Sequence, residues 1–432
     1  MKLSSRVPVE PSKRSPLLRL ERALAPLGLG LYSVGALYAI AACSPELGEQ
    51  PFACDAAGIC PEGYRCEATV CVAEGVQPTV SRPMRISYIN RSEMYWFPSR
   101  KGGATLVVND GFSPGARGLF ELHVSPEGAV TGPTKLLDFP GDKAVSSVVL
   151  ALDDGRYGAV TMSFPKDLDE DLEVVLHALP REGSGVTPSV LHRETHPYFG
   201  GYEPAYLGGA VVGEELVYAF AEADAGGSIG VVRLRKDGSV VGEQRIDLPP
   251  EILPLSADCL MWRAADASLT LRVGLTEQRV YTLDLGAGTS EMVDPAPGTP
   301  LFGFGRSIAY LEADEAAEQA SYVLRGLDGA LIGSSPPFPF DGSIEPYTAV
   351  PYGAGALIAP LPSDLELSTI DVGYLGPDGS FAKIGGVPRQ GGDAVYTARA
   401  FAAEGKVYVA WTSFHEQLMD LWIGVSPLTG VP

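Results

Sequence analysis

Leu216-Val217-Tyr218-Ala219-Phe220-Ala221-Glu222, followed by Ile229-Gly230-Val231-Val232-Arg233-Leu234-Arg235, Lys236-Asp237-Gly238-Ser239 and Val240-Val241, is the stretch that decides the fold. The apolar runs are short, rich in β-branched and aromatic residues, and lack the 3.6-residue period that a helix needs to bury one face. Asp237-Gly238 between two such runs is a hairpin signal, because the turn needs a positive φ that glycine adopts without steric cost. Residues 205–212, 216–222, 229–235 and 240–248 are therefore predicted to form four consecutive antiparallel strands.

The same unit recurs along the chain. Its turn reappears as Glu127-Gly128, Glu182-Gly183, Gly286-Ala287-Gly288, Asp328-Gly329, Asp378-Gly379 and Thr429-Gly430, with successive glycines 55, 55, 50, 41, 50 and 51 residues apart. Four short strands repeated at about 50 residues form the blade of a β-propeller. An all-β, seven-bladed propeller over residues 84–432 is the predicted fold, with six or eight blades the competing counts. The seventh turn falls two residues before the last residue, Pro432. The last blade thus lacks a fourth strand, and Met84-Arg85-Ile86-Ser87-Tyr88-Ile89-Asn90 has the composition to supply it and so cover an open sheet edge. The repeats carry no WD, kelch or Asp-box signature, so the resemblance to propellers is architectural and implies no activity.

Working outward, residues 1–42 read as an export signal, with Lys2, Arg6, Lys13, Arg14, Arg19 and Arg22 ahead of an uncharged stretch from Ala23 to Ala42. Ile40-Ala41-Ala42-Cys43 resembles the bacterial lipobox, which implies cleavage before Cys43 and acylation of that cysteine. An uncleaved membrane anchor is the rival reading. Ser44, in place of an aspartate, implies passage to the outer membrane. Residues 43–53 would be a tether and 72–83 a linker. Between them, Cys54, Cys60, Cys66 and Cys71 sit too densely for chance. In an exported chain they predict two disulfides rather than a zinc site, with Cys54–Cys66 and Cys60–Cys71 the favoured pairing. Cys-Pro-Glu-Gly-Tyr-Arg-Cys (60–66) resembles a fragment of small EGF-like modules. Cys259 reads as a buried small hydrophobe.

The chain carries 32 Lys and Arg against 53 Asp and Glu, a formal net charge of −21, and the part after the basic leader stands at −25. Nucleic acid is an unlikely partner for such a surface. In a propeller the connections from second to third strand and from one blade to the next share a face. Here that face is acidic, through Asp110, Asp167, Asp169, Glu170, Asp171, Glu222, Asp224, Glu277, Glu312, Asp314, Glu315, Asp364, Glu366, Glu416 and Asp420. It also carries aromatics, among them Tyr198, Phe199, Tyr202, Phe338, Phe340 and Tyr347, which suits cationic, sugar or peptide ligands. An acid precedes or opens the first strand in six of seven units: Glu93, Asp142, Glu203, Asp258, Glu345 and Asp393. These six are expected to ring the channel mouth, hydrated or holding a cation such as calcium.

His192 and His196 have the spacing of a helical metal pair, but Pro197 and the neighbouring glycines favour a solvated loop. Asp167, Asp169 and Asp171 resemble the start of a calcium loop, yet the sixth-position glycine and the final glutamate are missing. With no nucleophile elbow, phosphate-binding loop or catalytic constellation, no catalytic residue is assigned and no cofactor is expected beyond that calcium. The expectation is a membrane-tethered binding protein with a protein or glycan ligand. The alternative is a glycan hydrolase or lyase with paired carboxylates near the channel.

Overall fold

A computed structural model of the chain describes residues 52–53, 64–67, 70–73, 79–81, 84–86 and most of 93–429, apart from connecting segments such as 165–170, 197–206, 249–258, 340–348 and 360–368. All of these residues belong to one compact unit, Glu49–Pro432. Among the described residues the secondary structure is strand and turn throughout.

Seven antiparallel sheets follow one another, each starting with the first strand of its unit. Those first strands are Glu93–Pro98, Ala144–Ala151, Gly208–Val212, Cys259–Arg263, Thr299–Phe304, Ala349–Tyr352 and Val395–Ala403. Each packs beside the first strand of the next blade, and Val395–Ala403 packs beside Glu93–Pro98, so the ring closes as a seven-bladed β-propeller with first strands innermost. Blade 3 runs Gly208–Val212, Glu215–Glu222, Ser228–Arg235 and Val240–Asp247, within a few residues of its predicted strands.

The continuous apolar runs follow from this arrangement. Successive strand side chains point to opposite sheet faces, and here both faces are covered. On the second strand of blade 3, Leu216, Tyr218 and Phe220 enter the core shared with blade 2, while Val217 and Ala219 enter the core shared with blade 4. Burial of a large apolar side chain such as Leu216 or Phe220 contributes about 1.5–3 kcal/mol. The fourth strand is covered on fewer sides, and Val240–Asp247 is accordingly mostly polar and exposed.

The seventh blade draws on both ends of the domain. Its own segment supplies Val395–Ala403, Lys406–His415 and Leu418–Pro427, and the outer strand comes from the N-terminal side. Met84 pairs with Leu421 and Ile86 with Met419, while Thr79 pairs with Val425 and Val80 with Gly424. The closing segment thus begins upstream of residue 84, inside the stretch expected to be a linker. Contacts between blades explain why. Gly238, at φ +87°, lies against the Leu191 backbone on the fourth strand of blade 2, and Gly379, at φ +81°, against Gly333 on the fourth strand of blade 5. Gly128 lies against the Thr79 side chain, so Thr79 fills the fourth-strand position that the turn of blade 1 packs against.

Upstream, Phe52–Ala53, Tyr64–Glu67 and Val70–Ala73 form a separate three-stranded sheet in which Cys66 stands opposite Cys71 on adjacent strands. Cys43, Cys54 and Cys60 lie outside the described residues.

Candidate functional site

The topology separates two faces. Turns from first to second and from third to fourth strand leave one face and most are short, as at Gly213-Glu214, Asp237-Gly238 and Glu404-Gly405, the connection 181–188 of blade 2 being longer. The strand ends that lead into the next blade, and from second to third strand, lie at the opposite face, and the longest intervals between strands of the ring, 197–207, 248–258, 340–348 and 359–368, start there.

The turn face spends its acids within the fold. Glu182 follows the third strand of blade 2. One of its carboxylate oxygens accepts from Thr105 Oγ1 at 2.7 Å and the other from the Arg100 amide at 2.8 Å, joining it to blade 1. Hydrogen bonds from Thr105, the Arg100 amide and Ser99, with the Arg181 charge, outweigh desolvation and hold the Glu182 carboxyl below its usual value. Nearly buried Glu121 accepts from Tyr157 Oη at 2.9 Å and from the Glu182 amide at 3.0 Å. The Arg181 guanidinium lies over the rings of Phe97 and Tyr157. Glu404 in blade 7 accepts from the Gly103 amide in blade 1 at 3.0 Å. Asp237 and Asp378 bond the amides of Ser239 and Ser380 inside their own turns.

Of the six expected ring carboxylates, Glu93 is described; Asp142, Glu203, Asp258, Glu345 and Asp393 lie outside the described residues. Glu93 opens the first strand of blade 1 and reaches across to blade 2. Its oxygens accept from Asn109 Nδ2 at 2.7 Å, Ser146 Oγ at 2.8 Å, the Ser147 amide at 2.8 Å and Ser147 Oγ at 2.7 Å. Burial pushes its carboxyl above the ordinary range, and those bonds work in the opposite direction. Tyr95, one step along the same strand face, donates to the Ser147 carbonyl oxygen. Glu93 is therefore a joint between neighbouring first strands. The reason is geometric: first-strand side chains alternate between the two adjoining blades, as Met94 packs towards blade 7 while Phe97 packs towards blade 2.

Among the loop-face acids, Glu312 pairs with Arg325 at 2.8 Å and Asp314 caps the amides of Ala316 and Ala317. Asp420 is buried, and Asp171 is exposed. The aromatics Tyr198, Phe199, Tyr202, Phe340 and Tyr347, and the acids Asp167, Asp169, Glu170, Asp224, Glu277, Glu315, Asp364, Glu366 and Glu416, lie outside the described residues. Phe338 packs on Tyr322 with ring centroids 4.9 Å apart.

The histidine pair departs from expectation. His192 and His196 lie on the fourth strand of blade 2, Ser189–His196, and not in a loop. Alternation along that strand puts His192, Glu194 and His196 on one face, turned towards blade 3. Both imidazole Nε2 atoms stand 3.6 Å from the Glu194 carboxylate, Tyr218 donates to Glu194 Oε1 at 2.5 Å, and His196 packs on Phe220 at 4.5 Å. The missed signal was the period-2 pattern of Ser189-Val190-Leu191-His192-Arg193-Glu194-Thr195-His196, which pairs with Leu172–Pro180. Among the described residues, no helix is long and apolar enough to cross a membrane.

No family model and no curated protein matches the sequence. The fold is similar to solved propeller structures. A neuraminidase-like protein of A/little yellow-shouldered bat/Guatemala aligns over 81% of this chain and 100% of its own, at 10% identity and a TM-score of 0.42. The polysaccharide lyase Uly1 aligns over 80% and 90%, at 9% identity and 0.39, and a fucoside-bound Aleuria aurantia lectin over 70% and 97%, at 11% and 0.37. Similarity at this level carries nothing about ligand or activity.

Proposed function

We propose that the chain is a lipid-tethered binding protein of the bacterial cell envelope that takes a protein or glycan ligand on its long-loop face. The observation that carries this reading is the asymmetry of the two faces. Mostly short turns, with acids bonded into the fold, occupy one face, and the longest connections start from the strand ends at the other. Binding residues concentrate on loops held by a rigid scaffold. By sequence, the connection at 197–207 carries Tyr198, Phe199, Tyr202 and Glu203, side chains suited to stacking a sugar ring or an aromatic peptide and to pairing with a cation. The Cys43 lipid, on the lipobox reading, would tether the protein to a membrane, with the outer membrane the expected address. The engagement of Glu93 by four protein donors favours binding over a paired-carboxylate hydrolase or lyase.

The test screens the mature protein against arrays of oligosaccharides and of basic peptides. Binding to at least one array, lost when Tyr198, Phe199 and Tyr202 are together replaced by alanine, is the expected result. Turnover of an array glycan by the wild type would replace this reading with the enzymatic one. Cys43→Ala should separately abolish incorporation of labelled fatty acid.

A further inference from the structure

Phe52–Ala53, Tyr64–Glu67 and Val70–Ala73 form a sheet that belongs to no blade, with Val70–Ala73 as its middle strand. Two cysteines lie on its strands. Tyr64 pairs with Ala73, Arg65 with Val72, Cys66 with Cys71 and Glu67 with Val70, so the register sets the two cysteines directly opposite each other. Opposed residues of an antiparallel pair have Cα atoms about 4.5–5.5 Å apart. A disulfide spans about 4.4–6.8 Å between Cα atoms, so this backbone can accept one without moving. The connection adds a second constraint. Glu67 and Val70 flank a two-residue connection, and the closing pair of such a connection is ordinarily the hydrogen-bonded kind. Hydrogen-bonded and non-hydrogen-bonded pairs alternate along the ladder, which makes Cys66 and Cys71 a non-hydrogen-bonded pair, the kind that comes closer.

We propose that Cys66 and Cys71 form a disulfide across this hairpin, which leaves Cys54 and Cys60 of the cluster to each other. This bond rests on the export reading for its oxidising compartment, whereas the choice of partners follows from the register. The interlaced alternative, Cys54 with Cys66 and Cys60 with Cys71, meets an obstacle in the order of the strands. Ala53, the neighbour of Cys54, pairs with Val70 from the other side of the middle strand. Two strand spacings, about 9.5 Å, therefore separate its strand from the one that carries Cys66, and a disulfide does not reach beyond about 7 Å. Forming the bond takes two electrons and two protons from the two thiols and joins their sulfurs. A second disulfide, such as oxidised glutathione, accepts them and is released as two thiols. The bond would fix the hairpin that ends at Ala73, with residues 74–78 between it and the strand Thr79–Val80 that closes blade 7.

The test uses the full-length protein, reduced and then equilibrated with a mixture of reduced and oxidised glutathione, so that the pairing is read independently of export. Remaining thiols are alkylated. Cleavage after Glu49, Glu62, Arg65, Glu67 and Glu74 and before Asp55 then puts each of the four clustered cysteines on its own peptide. Mass spectrometry should find Cys66-Glu67 joined to the peptide Ala68–Glu74, which holds Cys71, as the predominant species. Cys66 or Cys71 joined mainly to any other cysteine, or both of them alkylated, would overturn the assignment.

Discussion

The turn face and the loop face are built from one repeat, yet the sequence spends its residues differently on them. On the turn face, glycines at positive φ make tight connections, and Glu121, Glu182 and Glu404 accept backbone amides or side-chain hydroxyls, most of them from an adjoining blade. The acids there belong to the scaffold. On the loop face lie the strand ends of the longest connections, several of which carry aromatics by sequence, as at Tyr198, Phe199 and Tyr202. Cross-blade hydrogen bonds to carboxylates therefore tie neighbouring blades together at the turn face.

The most severe way to break this contrast is to open the ring. Deleting residues 79–86 strips the pairing partners of Gly424, Val425, Met419 and Leu421 and uncovers apolar surface beside Val80 and Met84. A loss of about 5 kcal/mol or more is expected from that burial and pairing, seen as a melting temperature lower by roughly 10 °C or as insoluble protein. A melting temperature equal to the wild type would show that the segment does not close the blade.

Acid probes the interior next. Desolvation and the Arg193 charge depress the His177 imidazole from 6.5 to about 4, and Thr161 Oγ1 lies 3.1 Å from its Nε2. The unfolded chain therefore binds the proton more readily than the folded one. Stability contributed by neutral His177 is complete above the unfolded value of 6.5 and is lost as pH falls towards about 4, by up to ~3 kcal/mol. Urea unfolding from pH 7 to pH 4.5 should show a smaller loss in His177→Gln than in the wild type, and parallel curves would remove this assignment. Glu93 runs the other way. Its raised carboxyl favours the folded state below the unfolded value of 4.5, a contribution lost as pH rises through the folded value, so Glu93→Gln should flatten that part of the profile.

A change on the turn face is expected to cost somewhat less. Glu121→Ala leaves Tyr157 Oη and the Glu182 amide without their acceptor, for about 2–3 kcal/mol in chemical denaturation, whereas Glu121→Gln keeps an acceptor oxygen and should cost less. Equal costs would mean that the carboxylate charge, and not the acceptor, matters. Smallest of all, replacing Tyr198, Phe199 and Tyr202 by alanine should move stability by about 0.5 kcal/mol or less, because surface substitutions rarely do more. A large loss would place these aromatics in the scaffold.

Much of the fold was legible because its determinants are local. Glycine turns at near-constant spacing, and apolar runs such as Leu216–Phe220, expose the period and the two-sided burial of the middle strands. The outer strand supplied from the N-terminal side could be read from the strand composition of Met84-Arg85-Ile86. Its extent could not, because Thr79 earns its place only through contact with Gly128 in another blade. The site was less legible for the same reason. Glu93 reads from the sequence as a ring acid, but Ser146 and Ser147, which turn it into a joint, lie on the neighbouring blade. His192 and His196 match a helical spacing in sequence, whereas a strand also puts residues four apart on one face, with Glu194 between them.

The central claim is that ligand engages the loop face and not the turn face. Its most direct test places a photo-crosslinking amino acid at Tyr202 in one strain and at Lys101 in another, then illuminates living cells. The account predicts a discrete high-mass adduct from position 202 and none from position 101. An adduct from 101 with none from 202 would contradict it.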